Sequence, residues 1–240
     1  MVFDTRAYMP GDGSLQGWLD EKQQGKAGAQ PQPAPYYVPY YVGIDLGRRR
    51  NPSTLVCVEA QYNGAHTAYY FVRHIKRFRL KMLYSDISAE VKKFDTQLRR
   101  YEAKQGRYAS ITYLADSGGV GEGVTEMLVK SLGPNATLYK CYFVGGISYH
   151  QDGFEIRIPK SQAVSALQAV FHSNVITLPK GANYVDALLE ELANYQASIS
   201  EEGRDQYGAR AGKYDDLTSA LMLAIFYAEN MGGSGGPSFW

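Results

Sequence analysis

Cysteine is scarce in this chain, and so is any excess of charge. Only 2 cysteines occur in 240 residues. Cys57 and Cys141 lie far apart in strand-like apolar runs, with no second Cys or His at ligand spacing, so a disulfide framework and a zinc ribbon are excluded and both read as reduced core thiols. The 25 basic residues nearly cancel the 24 acidic ones. No overall field announces a polyanionic partner, and any such partner has to be held by local patches. No apolar run approaches the roughly 18 residues of a membrane span, and the N-terminus lacks a basic-then-apolar signal. These absences predict a chain that stays in the cytoplasm of the cell that makes it, without a membrane partner.

What is present is enough for a substantial core: 45% of residues are hydrophobic. Residues 1–35 are the exception. An isolated Gly-Trp18-Leu-Asp segment is followed by Gly25-Lys-Ala-Gly-Ala-Gln-Pro-Gln-Pro-Ala-Pro35, a composition that cannot offset chain entropy and reads as a flexible tether. Folded structure is expected over 36–230, and the glycine-rich end, 231–240, reads as a loose tail. Residues 40–46 form a buried strand, followed by a basic loop, a second strand over 53–61, an Asn63-Gly64 turn and a third strand over 67–75. The opening is therefore an antiparallel meander.

Ile87, Val91, Phe94, Leu98 and Tyr101 recur every three or four residues and predict an amphipathic helix over 84–101. A strand over 111–116, a helix over 121–132 and a strand over 136–144 follow, the order of a right-handed parallel crossover. Helices over 159–171 and 184–197 flank a short extended stretch at 175–178. A polar stretch, 198–212, leads to a last helix over 215–230. Meander, helix, then alternating strand and helix is the order of a ribonuclease H-like α/β fold, a mixed sheet covered by helices on both faces.

Three places in this pattern carry aspartates that core packing does not require. Asp45 closes an apolar strand between two glycines, in Gly43-Ile-Asp-Leu-Gly47, where a buried charge without a partner costs several kcal/mol, as an order of magnitude. Asp116 ends a second strand and is followed by Ser-Gly-Gly-Val-Gly121. Asp215 and Asp216 open the final helix, in Asp215-Asp-Leu-Thr-Ser-Ala-Leu-Met-Leu-Ala224. Each has a plain alternative: a turn acid for Asp45, an N-cap for Asp116, and cap plus first-turn acid for the pair. If the three places meet, they make a site of hard oxygen ligands without cysteine or a histidine cluster, which selects Mg²⁺ or Mn²⁺, in all two ions, over zinc. Basic residues near these acids, Arg48, Arg49, Arg50, Lys160 and Lys213, are candidate contacts to a DNA backbone; the Arg77, Arg79 and Lys81 group reads first as a solvated face. Gly208-Ala-Arg-Ala-Gly-Lys213 is one residue short of a Walker loop, and the 118–123 glycines do not fit a dinucleotide fingerprint.

Together with Val175-Ile-Thr-Leu-Pro and Leu188-Leu-Glu-Glu-Leu192, the segments around Asp45, Asp116 and Asp215-Asp216 resemble the nuclease domain of phage terminase large subunits, over roughly 40–229. The resemblance implies a ribonuclease H-like, metal-dependent endonuclease that cuts double-stranded DNA during viral genome packaging in the host cytoplasm. It makes Asp45, Asp116 and Asp216 or Asp215 the catalytic metal ligands, and Lys160 with the arginine triplet the phosphate contacts. The family's large subunit normally carries an ATPase motor before the nuclease. The resemblance therefore implies a partner ATPase motor chain, a small terminase subunit and a portal protein. Two other readings stay open on the sequence: a non-catalytic DNA-binding or docking module of the packaging machine, and an actin-like ATPase whose phosphate loops are Gly43-Ile-Asp-Leu-Gly47 and Asp116-Ser-Gly-Gly.

Overall fold

The computed structural model describes residues 8–9, 37–47, 51–63, 68–118, 122–199, 205–209 and 214–232. In chain order these form β1 (Tyr8–Met9), β2 (Tyr37–Asp45), β3 (Thr54–Tyr62), β4 (Ala68–Arg77), α1 (Tyr84–Lys104) and β5 (Tyr108–Asp116). Next come α2 (Glu122–Leu132), β6 (Thr137–Val144), β7 (His150–Asp152), β8 (Glu155–Pro159) and α3 (Lys160–His172). The chain continues with β9 (Ile176–Pro179), α4 (Val185–Asn194), β10 (Tyr195–Ile199), β11 (Asp205–Ala209) and α5 (Asp216–Asn230).

The expected meander is present: β2 pairs antiparallel with β3, and β3 with β4. On its other edge β2 pairs parallel with β5, then β5 with β6 and β6 with β8, while β9 lies parallel to β4. The sheet runs β1-β9-β4-β3-β2-β5-β6-β8-β7, the mixed α/β sheet expected. Tyr8–Met9, inside the expected tether, adds a parallel edge strand beside Leu178 and Pro179. The remainder of that segment, the Gly64 half of the turn and the end of the tail lie outside the described residues.

Alternation along each strand divides the interior in two. Tyr40, Val42 and Ile44 face a core with Val91, Leu98 and Leu128 of α1 and α2. Val56, Val58, Leu114 and Ile156 face a second core with Leu167, Leu192 and Leu221 of α3, α4 and α5. Cys57 belongs to the first core and Cys141 to the second, both buried and free, so the sheet itself separates the two thiols.

Two stretches differ from the sequence expectation. The helix expected to reach residue 197 stops at Asn194, because Tyr195 turns extended (φ −76°, ψ 128°) and starts β10, which pairs antiparallel with β11. The polar 198–212 stretch thus contains half of a hairpin, which Tyr195 anchors with its buried ring. The second difference is the β7–β8 hairpin, closed by Gly153-Phe154 with Gly153 at φ +53°, a conformation that suits glycine. Both hairpins are short: β8 alternates Ile156 and Ile158 with polar residues and β10 alternates Tyr195, Ala197 and Ile199 with polar ones, each over only five positions. With β7 and β11 mostly polar, that is too little for a sustained period.

Helix α5 is buried from Asp216 through Phe226, the pattern of a helix packed on every side. It lies so close to β2 that a Cβ on Gly43 would stand 1.8 Å from the Ala220 carbonyl oxygen. No side chain fits there. Gly43→Ala should therefore destabilise the fold by about 3 kcal/mol, roughly 6–12 °C in Tm for a chain of this size. Gly123→Ala, in α2 with nothing near its Cβ position, should be neutral or stabilise by about 0.5–1 kcal/mol. Thermal unfolding of the two variants side by side checks the contrast; equal behaviour would refute the close approach.

Candidate metal centre

Asp45 and Asp116 are register partners at the ends of the parallel pair β2 and β5. Side chains at paired positions share a face of the sheet, and Asp45 lies two residues beyond Gly43. Both carboxylates therefore stand on the α5 face. On the other flank Asp45 is opposite Thr54, whose hydroxyl donates to the Asp216 carbonyl oxygen at 2.8 Å. Helix α5 is thus fastened by its first residue to the strand beside Asp45. A cleft of about 390 Å³ results, lined by Asp45, Asp116, Asp215 and Asp216 together with Lys160, Asn51, Ser219 and Phe143.

Asp116 makes an Asx turn, its Oδ1 accepting the Gly118 amide at 2.9 Å, which leaves its other oxygen for the cleft. Asp215 stands at the N-cap position of α5 but makes no side-chain cap bond. The α5 amides are served instead by Glu191 of α4, whose Oε2 accepts the Thr218 N–H at 2.9 Å, while Arg77 donates to Oε1. Asp215 thus makes no side-chain cap, and Asp216 stands in the first turn of α5.

Other buried acids in this fold are matched to a guanidinium: Glu59 to Arg73, Glu102 to Arg107, Asp95 to Arg99 and Glu191 to Arg77. Among the described residues no ion pair involves Asp45, Asp116 or Asp216. Lys160 stands beside them, its Nζ 3.9 Å from Asp215 Oδ2 and over the rings of Phe143 and Tyr195. Burial, then the charges of Asp116, Asp216 and Asp215, push the Asp45 carboxyl well above the usual range, with Lys160 opposing. Burial likewise raises Asp116, against the Gly118 amide and Lys160. Asp216 is pushed up to about 6 by burial and Asp215, with Arg77 and Asn51 opposing. Glu191 is pushed up to about 7, chiefly by burial.

Asp216 Oδ2 is buried without a hydrogen-bond partner, an orphaned hard oxygen of a residue that lines the cleft. That atom and an all-oxygen donor set fit Mg²⁺ or Mn²⁺. As the side chains stand, no three His, Cys, Asp or Glu groups among the described residues close on a single ion position.

Of the residues expected from the sequence, Asp45, Asp116, Asp215, Asp216 and Lys160 line this one cleft. Arg48, Arg49, Arg50 and Lys213 lie outside the described residues. Arg77, read first as part of a solvated face, is committed to Glu191 and lies over the Tyr214 ring. Arg79 and Lys81 line a neighbouring cavity of about 240 Å³ that shares Gly47 and Asn51 with the acid cleft. Asn51, Ser219 and Glu191 went unnoticed as site residues. Glu191 carries a visible signal, an acid between Leu188 and Leu192 on the apolar side of α4. Asn51, in a loop, carries none.

Sheet order and helix placement define an α/β protein of the ribonuclease H-like class. The sequence matches no family model and has no significant match among curated proteins. Solved structures do match. One is the large terminase nuclease of thermophilic phage G20c, 18% identical with a TM-score of 0.55 over 90% of this chain and 98% of that one. Another is the human cytomegalovirus terminase nuclease domain, soaked with manganese, 12% identical with a TM-score of 0.54 over 81% and 85%. The bacteriophage HK97 large terminase is 12% identical with a TM-score of 0.51, over 90% of this chain and 44% of its own. The G20c nuclease is also known with bound cobalt and with bound magnesium. At such identities the likeness carries the fold.

The raised carboxyl pKa values fix a sign. Asp216 binds its proton more tightly folded, near 6, than unfolded, near 3.9. Its contribution to stability is thus fully present below the unfolded value and lost as pH rises through the folded one. In chelator, Asp216→Asn should melt several degrees above wild type at pH 8 and lose that advantage by pH 4. Melting curves across that range check it; an advantage independent of pH would contradict the assignment.

Proposed function

We propose that this chain is a divalent-metal-dependent endonuclease of the terminase type, hydrolysing phosphodiester bonds of double-stranded DNA during viral genome packaging. The observation that carries the reading is the cleft where β2, β5 and α5 present Asp45, Asp116 and Asp216, which among the described residues form no ion pair, in a fold that pairs other buried acids with an arginine. The likeness to terminase nucleases, one with bound magnesium, supports the same reading.

Asp45, Asp116 and Asp216 would hold the metal, with Asp215 at the rim tied to Lys160. Mg²⁺ or Mn²⁺ bound there, in all two ions, supplies an activated water and charge stabilisation of the leaving oxygen. The chain supplies the rest. Gly118 holds one Asp116 oxygen so that its carboxylate keeps one orientation. Thr54 fixes the start of α5 relative to β2. Lys160, at the cleft wall, carries the positive charge that a scissile phosphate would meet. Arg48, Arg49, Arg50 and Lys213, close in sequence to Asp45 and Asp215, are the proposed contacts to flanking phosphates. The nuclease reading places the protein in the host cytoplasm, acting with an ATPase motor chain, a small terminase subunit and a portal protein. Among the described residues no helix is long and apolar enough to cross a membrane.

Wild-type protein incubated with supercoiled plasmid should nick and linearise it with Mn²⁺ and not with chelator. Asp45→Ala, Asp116→Ala and Asp216→Ala should each lose activity by on the order of 100-fold or more, since each removes a metal ligand. Asp215→Ala should lose less. Wild type and Asp45→Ala cleaving alike would remove the nuclease assignment.

A further inference from the structure

We infer that Glu191, braced by Arg77, is a positioning residue of this site: it caps α5 from another helix so that the Asp216 carboxylate is not drawn into capping. The inference rests on the proposed metal site and assigns a role to residues that lie outside its ligand set.

A helix begins with amide hydrogens that have no partner in the helix, and the residues nearest to hand usually accept them. In α5 the nearest are Asp215 and Asp216. Either carboxylate would fold back onto its own amides if nothing else did so. Asp215 makes no such bond, and Asp216 Oδ2 has no partner. Glu191 reaches across from α4 to accept the Thr218 N–H at 2.9 Å, with the Leu217 amide also bonded to it.

Glu191 is itself fixed. Its side chain is 5% exposed, on the same face of α4 as the buried Leu188 and Leu192. Its second oxygen takes the Arg77 guanidinium, which leaves the end of β4 and lies 5.7 Å from the centre of the Tyr214 ring. The start of α5 is therefore clamped from two directions. Thr54 of β3 holds the Asp216 carbonyl, and Arg77 with Glu191 holds the amides one and two residues on. Between the clamps the Asp216 backbone is fixed, while its carboxylate is hydrogen-bonded to Asn51.

Removing an outer-shell partner of this kind typically costs 10–100-fold in metal affinity or activity. Mn²⁺ binding to the full chain, measured by calorimetry without DNA, reads the role directly. Glu191→Ala should weaken binding by on the order of 10–100-fold. Glu191→Gln, whose amide oxygen can still accept the Thr218 N–H, should recover most of it. Arg77→Ala, which leaves the cap unbraced, should weaken binding in the same direction and gives the readout if Glu191→Ala does not fold. Leu188→Ala, a core truncation in the same helix, should lower Tm yet bind Mn²⁺ as wild type does. Glu191→Ala binding as tightly as wild type, or Leu188→Ala weakening binding equally, overturns the positioning role alone. Wild type failing to bind Mn²⁺ overturns the metal site and this inference with it.

Discussion

The structure turns on the distance between one strand and one helix. Where β2 passes beneath α5, the chain has glycine at position 43, and the Ala220 carbonyl occupies the space a side chain would need. A helix that lies directly on a strand backbone has no freedom to slide or lift. Its first residues are set at the height of the strand end, and there the strand carries Asp45. The neighbouring strand β5, in parallel register, brings Asp116 level with Asp45. Gly43 is thus a packing residue whose consequence is electrostatic: it brings Asp216 into the cleft with the two strand-end acids.

The fold handles its other buried acids in a different way. Under α1, Tyr40 donates to Glu102 at 2.8 Å, while Arg107 and Arg73 neutralise Glu102 and Glu59. Such pairs balance desolvation against attraction and need no further ligand. Among the described residues the cleft has only Lys160, beside Asp215, to set against its acids. Burial raises the carboxyl pKa values, the acids repel one another, and one buried oxygen has no partner. On the proposed metal reading a divalent cation would answer all three at once, and its binding would be coupled to stability.

Much of this could be read from the chain. The strand ending at Asp45, the strand ending at Asp116 and the apolar helix after Asp215-Asp216 are long and strongly patterned, so their type and their acids stood out. Lys160 was identifiable because it opens a helix, yet its place beside Asp215 depends on how α3 packs against α5. The β10–β11 hairpin hid in a polar stretch because short strands with few apolar residues leave no periodic trace. Arg77 and Glu191 were in view, one in a basic run and the other in Leu188-Leu-Glu-Glu-Leu192. Their pairing spans 114 residues of sequence, and local pattern carries no information across that separation. The capping question shows the limit most clearly. Two aspartates at a helix start look like caps until a third acid from elsewhere is found doing that job.

Crystals of the full chain soaked in Mn²⁺, with data collected for anomalous scattering, test the central claim most directly. The account predicts anomalous peaks inside the cleft, within coordination distance of carboxylate oxygens of Asp45, Asp116 and Asp216, with those side chains drawn together around them. A cleft without a peak at saturating Mn²⁺, or a peak held by other residues while these three aspartates stay apart, would contradict it.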